Sequence, residues 1–326
     1  MTIVFHTHLA MDFPEHMKSF AAQWPSHQIL VARNSEEKRS MIKEAHILVD
    51  HRVDESLLHH ASSLRWILVP FAGVDSLPLD LLNRQGIRVA CSHGNAPLVA
   101  EKALALALAA MGRLHEFDEG LRQGKWHRQK GLVKPFALWT SLRDKKVCIL
   151  GAGAVACALA QLLTVFTSNI VGFRRQSDRP RPAGFARITH RLDEAMAHAA
   201  LCVITLPETS ETRSLVGMEQ LRLMQGGCLV NVGRGSVVHE ADLYEALHTG
   251  VLSSAGLDVW YRYPRPFHGK AHPSAYPFHE LSNVILSPHA ASHTTEGKIG
   301  QLEGVFENIQ GIILHGRPSH VVRDGY

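Results

Sequence analysis

A short run in the middle of the chain constrains the fold more than any other feature. An apolar stretch at 146–150 is followed at once by Gly151, Gly153 and Ala156 in a G-x-G-x-x-A pattern, and then by a helix-forming segment at 157–163. Gly151 permits a tight turn, Gly153 lets the main chain approach a pyrophosphate, and Ala156 can replace the third glycine where helix packs on strand. The run therefore predicts a strand, turn and helix that bind a dinucleotide. The residues expected to line this turn are Gly151, Ala152, Gly153, Ala154 and Val155.

Short apolar runs recur along the whole chain, separated by segments long enough for helices. This alternation of predicted strands and helices is typical of parallel sheets with helices on their faces. It favours the dinucleotide interpretation over an ordinary strand-to-helix turn. With 326 residues the chain can hold two such cores. We therefore expect an α/β protein with two doubly wound parallel-sheet domains. The predicted strands are 3–5, 29–32, 46–49, 65–69, 87–90, 146–150, 170–173, 201–206, 228–232, 254–257 and 284–287.

The helix that follows the first series of strands marks the expected domain boundary. It begins after Asn95, which suits an N-cap, and has Pro97 in its first turn. The last periodic segment, 297–315, has apolar residues at helical spacing and no following strand, so it has to pack on a core already formed. We expect a Rossmann domain at 97–292, inserted in a flavodoxin-like domain built from 1–96 and 293–326.

Composition argues against several classes of partner. The 34 basic and 30 acidic residues are scattered without long runs of one sign, so we expect no nucleic-acid partner. The most apolar stretch, 98–114, carries Glu101, Lys102 and Arg113 and is too short to span a bilayer, so we expect no membrane partner. The 22 histidines and five cysteines lack metal-ligand spacing, which predicts no metal site and the reduced thiols of a cytoplasmic protein.

The end of the second strand of the dinucleotide domain bears on the choice of cofactor. An NAD site would offer an acidic residue to the ribose hydroxyls there, but this chain has Arg174, Arg175 and, slightly further on, Ser177. Guanidinium groups pair well with a ribose 2′-phosphate. We predict that NADP(H) is preferred over NAD(H). The alternative is that these arginines belong to a solvated basic loop without a role in cofactor binding.

Four further motifs follow successive predicted strands. They are LPETSET at 206–212, NVGRGSVV at 231–238, AGLDV at 255–259 and SPHAA at 287–291. In doubly wound sheets the carboxyl ends of the strands face the ligand. Together with FAGVD at 71–75, and in this order over essentially the full length, they make the chain resemble the D-isomer-specific 2-hydroxyacid dehydrogenase family.

The resemblance implies roles for individual residues. The two ends of the chain would form the substrate domain, where the main-chain N–H groups of Ala72, Gly73 and Val74 receive the substrate carboxylate. Arg234 would bind that carboxylate and polarise the keto oxygen, which suits its planar fork, whereas a structural salt bridge is the alternative. His289 would be the acid/base group. Further cofactor contacts are implied for Leu206, Pro207, Thr212, Val232, Gly233, Arg234, Asp258, His289 and Ala291.

One position departs from the family pattern. The family usually has a glutamate five residues after the aspartate of the LDV motif, where it orients and charges the histidine, and here that position is Tyr263. A neutral phenol hydrogen-bonds an imidazole but supplies no negative charge, so the imidazolium should be less stabilised. Glu280, which precedes the strand leading to His289, is an alternative source of charge.

These patterns predict an NADPH-dependent oxidoreductase that transfers a hydride between the nicotinamide and C2 of a small 2-keto or D-2-hydroxy acid, such as glyoxylate, hydroxypyruvate or pyruvate. The resemblance also implies a homodimer. A dinucleotide-sensing regulator with little turnover is one alternative, favoured by Tyr263 and disfavoured by the presence of both Arg234 and His289. A dehydrogenase of another small acid, such as formate or phosphite, is a second alternative.

Overall fold

The structure is a computed structural model that describes residues 1–126, 138–175, 179–264, 269–319 and 321–322. Its contacts divide the chain into two compact units, one formed by Met1–Asn95 with Ser292–Tyr326 and the other by Ala96–Ala291. Each unit contains one parallel sheet with helices around it. The predicted α/β class with two parallel sheets is therefore confirmed.

The first unit is built on a five-stranded parallel sheet. Its strands are β1 Thr2–Phe5, β2 Gln28–Val31, β3 Ile47–Val49, β4 Trp66–Val69 and β5 Arg88–Cys91. They lie in the order β2-β1-β3-β4-β5, so the direction of winding reverses between β1 and β3. The helices that connect them are α1 His8–Asp12, α2 Pro14–Gln23, α3 Ser35–Met41, α4 Glu55–Leu58 and α5 Leu79–Arg84.

The second unit is built on a seven-stranded parallel sheet. Its strands are β6 Val147–Leu150, β7 Ile170–Phe173, β8 Arg187–Thr189, β9 Leu201–Ile204, β10 Cys228–Asn231, β11 Ser254–Leu257 and β12 Val284–Leu286. Their order is β12-β11-β10-β9-β6-β7-β8, with the reversal between β6 and β9. The helices are α6 Ala96–Met111, α7 Leu114–Arg122, α8 Ala154–Leu163, α9 Leu192–Met196, α10 Met218–Leu223 and α11 Glu240–His248.

Burial on both faces explains why the central strands of this sheet are apolar without alternation. In β6, Cys148 and Leu150 pack into the core on one face of the sheet, and Val147 and Ile149 pack into the core on the other. A strand covered on both sides by helices has no solvent-facing positions for polar residues. Continuous apolar runs were therefore a sound signal for the strands.

The last helix, α12 Thr295–His315, belongs to the first unit. Its Leu302, Val305 and Ile309 are fully buried, and each contributes on the order of 1.5–3 kcal/mol of hydrophobic stabilisation. The ring of Phe306 stacks on Phe20 with 4.1 Å between centroids. The buried amide of Asn308 donates to the main-chain oxygen of Cys91 over 2.9 Å and so fixes the helix against the end of β5.

The structure differs from the sequence-based expectation at two places. The apolar stretch 98–114 is not one continuous helix: the helix that begins after Asn95, α6, ends at Met111, and Arg113 has a left-handed φ of +53° before α7 begins. The hydrophobic pattern does not show this break, because a left-handed residue changes the direction of the backbone and not the spacing of apolar residues. The short edge strand β8 was not predicted, since its sequence RIT has a single apolar residue.

Some structural facts bear on membranes, thiols and metals. None of the helices within the described ranges is long and apolar enough to cross a membrane. The five cysteines are free thiols, and all except Cys157 are buried. Among the residues with described positions, no three His, Cys, Asp or Glu side chains gather as a metal site.

Candidate active site

The turn after β6 has the geometry that a dinucleotide requires. Gly151 has a φ of +120°, and a Cβ there would lie 2.4 Å from Oγ1 of Thr205, so glycine is needed. No atom lies within 4 Å of the position that a Cβ on Gly153 would take, so one side of the turn is open. Helix α8 begins at Ala154 without a side-chain cap, and the first N–H groups of an uncapped helix suit an anion. These features fit a nicotinamide dinucleotide.

The neighbouring residues of the turn are placed as the pattern predicts. Ala152, Ala154 and Val155 are half-buried along the open side, whereas Ala156 is fully buried where α8 meets the sheet. The small side chain of Ala156 lets α8 pack closely, which is the function of the third glycine in the pattern.

The two arginines after β7 have different surroundings. The guanidinium of half-buried Arg174 donates to the main-chain oxygens of Arg179 and Pro180, the latter over 3.2 Å. Arg175 is exposed and forms an ion pair with Glu211. Ser177 lies outside the described residues. Arg175 is therefore the more exposed of the two arginines, and its guanidinium is paired with a carboxylate.

Further basic residues gather beside Arg174. A depression of about 370 Å³ is lined by Arg174, Arg179, Arg181, Arg187 and His190. Arg179, Arg181 and Arg187 are not among the residues predicted from the sequence, although the density of arginine between positions 174 and 191 was a visible signal. The positive potential there suits a phosphate group.

Arg234 projects from a tightly packed loop after β10. A Cβ on Gly233 would lie 2.4 Å from the main-chain oxygen of Leu206, and a Cβ on Gly235 would lie 2.4 Å from that of Trp260. Both glycines are therefore required by close packing. The buried Asn231 accepts from the N–H of Gly233 (3.0 Å) and donates to the oxygen of Arg234 (2.9 Å). These contacts fix the loop in place, and the half-buried guanidinium of Arg234 donates to the oxygen of Gly233.

The loop after β9 carries three of the predicted cofactor residues. The hydroxyl of Thr212 donates to the main-chain oxygen of Pro207 over 2.6 Å and accepts from the N–H of Thr209 over 2.8 Å. Leu206, Pro207 and Thr212 are all half-buried, as is Val232 after the neighbouring strand. The loop is thus ordered by its own hydrogen bonds at the carboxyl edge of the sheet.

Asp258 organises the turn that carries His289. Its carboxylate is fully buried and accepts from the hydroxyl of Ser287 (2.5 Å) and from the N–H groups of Ala290 (2.9 Å) and Ala291 (3.0 Å). His289 itself has a left-handed φ of +57°, which is uncommon for a residue other than glycine. The three donors flank His289, so Asp258 holds its backbone in place. The implied contact of Asp258 with the cofactor stays a prediction.

Tyr263 lies beside His289. The centroids of the two rings are 5.5 Å apart with a tilt of 49°, and the phenol oxygen accepts from the N–H of Trp260 over 3.1 Å. Desolvation raises the pKa of Tyr263, against smaller opposing effects of the Trp260 hydrogen bond and the Arg234 charge. The residue in the usual glutamate position is therefore a neutral phenol at neutral pH.

The histidine is electrostatically coupled to its neighbours. Desolvation by the surrounding protein lowers the pKa of His289, the carboxylate of Asp258 opposes that shift, and the charge of Arg234 adds to it. Glu280 does not offset this, because its exposed carboxylate approaches His279 at 3.9 Å. Arg234, Asp258, Tyr263 and His289 thus form one polar cluster in the second unit.

The predicted carboxylate-receiving loop lies in the first unit, directly after β4. Ala72 is exposed, whereas Gly73 and Val74 are buried. The thiol of Cys91 donates to the oxygen of Ala72 over 3.5 Å, and the N–H of Leu77 donates to the oxygen of Val74 over 2.9 Å. The loop is therefore anchored at the carboxyl edge of its sheet.

Comparison with known proteins decides the family. The model of the D-isomer specific 2-hydroxyacid dehydrogenase NAD binding domain matches residues 104–291, more than half of the chain. The chain is 32% identical to a glyoxylate reductase of Aeropyrum pernix over 84% of its own length and 81% of that protein. The chain belongs to the D-isomer specific 2-hydroxyacid dehydrogenase family. The resemblance seen in the sequence is thereby confirmed.

Other relatives agree with this assignment. The family member is 34% identical to glyoxylate/hydroxypyruvate reductase B of Pectobacterium carotovorum over 79% of its own length and 78% of that enzyme. A solved family structure from Aeromonas salmonicida is 29% identical, covers 99% of this chain and 98% of its own, and superposes with a TM-score of 0.77. This 2-hydroxyacid dehydrogenase is therefore an NAD(P)-dependent oxidoreductase, as the sequence motifs predicted.

Proposed function

We propose that this dehydrogenase is an NADPH-preferring reductase of small 2-keto acids, with glyoxylate and hydroxypyruvate as the main substrates. The observation that carries the proposal is the cluster of Arg234, Asp258 and His289, which places a cation beside a held imidazole. The relatives named as glyoxylate and glyoxylate/hydroxypyruvate reductases support the choice of substrates.

The proposed roles follow from the chemistry of each group. The planar fork of Arg234 is assigned to the substrate carboxylate and the keto oxygen. The N–H groups of Ala72, Gly73 and Val74 are assigned as carboxylate-binding groups. When bound, the nicotinamide supplies the hydride that reaches C2. His289 gives its proton to the keto oxygen, so that a C–H and an O–H bond form, and it recovers that proton in the reverse direction.

A direct assay of NADPH oxidation and NADP⁺ reduction over a panel of substrates tests this function. NADPH oxidation is measured after adding glyoxylate, hydroxypyruvate or pyruvate, and NADP⁺ reduction is measured with formate or phosphite. Turnover of the keto acids supports the proposal. Turnover of formate or phosphite alone would mean that the protein catalyses a different reaction. NADPH binding without turnover of any acid would contradict catalysis altogether.

The pH profile should show the effect of Tyr263. Reduction requires protonated His289, and because its pKa is lowered, the rate should fall as the pH rises through a value below that of an ordinary histidine. A carboxylate beside the ring favours the imidazolium, so Tyr263→Glu should move the falling limb of kcat/KM up by about one pH unit. Tyr263→Gln is the neutral control and should leave the limb in place. An unshifted limb in the glutamate variant would refute the idea.

The preference for NADPH rests on the arginines after β7. Arg175 is exposed, and further arginines line the adjoining depression, so a 2′-phosphate meets several donors. We expect Arg175→Ala to lower the ratio of kcat/KM for NADPH to that for NADH about tenfold. Arg143→Ala, an exposed change away from this edge, serves as the control. A ratio that stays near the wild-type value would count against a role for Arg175.

The remaining cofactor contacts are also proposals. Main-chain and small apolar groups at the carboxyl edge would bound the dinucleotide. These are Leu206, Pro207, Thr212, Val232, Gly233 and Ala291, with Asp258 beside them.

We propose a homodimer in the cytoplasm. Exposed apolar side chains on and after α7, Leu114, Leu121 and Trp126, support a second copy as partner, since large apolar groups are seldom left in water together. Helix α6 is a weaker candidate for the interface, because it packs on β10, β11 and α8. Five free thiols suit a reducing compartment. Light scattering of the purified chain measures the mass of the assembly.

A further inference from the structure

The segment that leads to Tyr263 is held by residues outside the polar cluster around His289. Tyr261 and Arg262 donate their main-chain N–H groups to a shared acceptor, the oxygen of Pro273, over 3.2 Å and 2.9 Å. These two residues therefore pair with a later stretch of the chain. Because Tyr263 directly follows the paired residues, its position depends on where that later stretch is held.

Glu240 holds the residues that follow Pro273. One oxygen of its half-buried carboxylate accepts from the hydroxyl of Ser274 over 2.6 Å and from the N–H of Ala275 over 2.8 Å. Ser274 is buried. Hydrogen bonds to an ionised carboxylate are among the stronger ones in proteins, so Glu240 is the main anchor of this stretch.

The beginning of α11 also contacts Tyr261. The phenol of Tyr261 donates to the main-chain oxygen of Val238, just before Glu240, over 3.1 Å. Burial raises the pKa of this phenol and the charge of Glu240 adds to the rise, so Tyr261 stays a neutral donor. The segment that leads to Tyr263 is therefore held by two sets of contacts, and Glu240 takes part in one of them and adjoins the other.

Tyr263 in turn packs against the imidazole of His289. The two ring centroids are 5.5 Å apart, and the phenol oxygen of Tyr263 accepts from the N–H of Trp260. The bonds of Asp258 run to groups on either side of His289 and fix its backbone. The rotamer of the ring depends on the groups that pack against it, and Tyr263 is such a group.

These contacts link the beginning of α11 to the proposed acid/base group. We propose that Glu240 is a positioning residue: by holding the segment 273–275 it places Tyr263 against His289 and so keeps the imidazole oriented for proton transfer. The inference rests on the proposed function, in which His289 protonates the keto oxygen. Glu240 itself contacts neither substrate nor cofactor in this scheme.

Glu240 also has an ordinary structural role. It is the first residue of α11, where a negative charge interacts favourably with the helix dipole. Glutamine at this position keeps an oxygen that accepts both hydrogen bonds but loses the charge. A purely structural role follows the charge and the stability of the helix, whereas the positioning role follows the two hydrogen bonds.

Kinetics with glyoxylate and NADPH compare the wild type, Glu240→Ala, Glu240→Gln and the control Glu245→Gln, an exposed change on the same helix. We expect Glu240→Ala to lower kcat about tenfold, because a slight misplacement of a reacting group slows the chemical step. KM for NADPH should stay unchanged, since the dinucleotide turn takes no part in these contacts. Glu240→Gln should restore most of kcat, and Glu245→Gln should match the wild type.

A double-mutant cycle shows whether Glu240 acts through Tyr263. In Tyr263→Ala the ring that Glu240 positions is gone, so adding Glu240→Ala should lower kcat no further. Thermal unfolding verifies that each variant is folded. Should Glu240→Ala not fold, Ser274→Ala removes one of the two hydrogen bonds from the other side and should lower kcat in the same way, to a smaller extent.

Three outcomes would overturn the inference. They are a wild-type kcat in Glu240→Ala, a glutamine variant as slow as the alanine variant, and additive losses in the double-mutant cycle. Failure of the proposed function is seen instead as a wild type that turns over no keto acid, which would remove the basis of this inference as well. Failure of the inference alone is seen in an active wild-type enzyme.

Discussion

Replacing His289 with asparagine is expected to lower kcat for keto-acid reduction about 10³-fold, because the proton donor to the keto oxygen is lost. Asparagine is the suitable replacement, since it tolerates the left-handed backbone that this position adopts, with a φ of +57°. The turn held by Asp258 should therefore keep its shape. Steady-state kinetics with glyoxylate and NADPH measure the effect, and thermal unfolding verifies that the variant is folded.

The control for this variant is His279→Asn, an exposed histidine on the turn Phe278–Glu280. It should retain wild-type kcat. If His289→Asn keeps a kcat within tenfold of wild type while folded, another group protonates the substrate, and the proposed role of His289 is wrong.

Arg234→Lys is expected to lower kcat/KM about 10²-fold although the positive charge is kept. An ammonium group lacks the planar fork that grips a carboxylate in two places, and removal of one oriented donor has an effect of this size. The surrounding loop should stay intact, because its shape is set by Gly233, Gly235 and Asn231 rather than by the guanidinium.

Arg222→Lys, an exposed change in α10, provides the matched control and should behave as wild type. The effect should appear for every keto acid in the panel, since all of them share the carboxylate. A loss confined to one substrate would assign Arg234 to the substituent at C3 and would contradict its role as the carboxylate ligand.

The fold class was predictable because its signals are local. Eleven of the strands were predicted, since a strand buried on both faces is a continuous apolar run, as 147–150 shows. The strand β8 was missed because Arg187 and Thr189 flank its single apolar residue. The break at Arg113 was missed because a left-handed residue leaves no mark on hydrophobic spacing.

The candidate site was predictable only residue by residue. Arg234 and His289 were found through motifs, but no motif indicated that Asp258 holds the turn around His289. Likewise, no motif predicted the contact between Asp50 and Lys38, although the two residues are only 12 positions apart. Each of these contacts joins a carboxylate to a group from a different part of the chain.

By itself, the sequence determined the dinucleotide turn and the chemical types available to the site. Gly151 and Gly153 act through the backbone of their own turn, and that effect is local enough to be seen in the order of residues. Only the tertiary structure decided that Asp258 holds the turn of His289, and that His6 and Lys38 meet at Asp50. The physical reason is that hydrogen bonds between side chains on separate strands and helices depend on how the sheet is ordered and packed, and spacing along the chain does not contain that order.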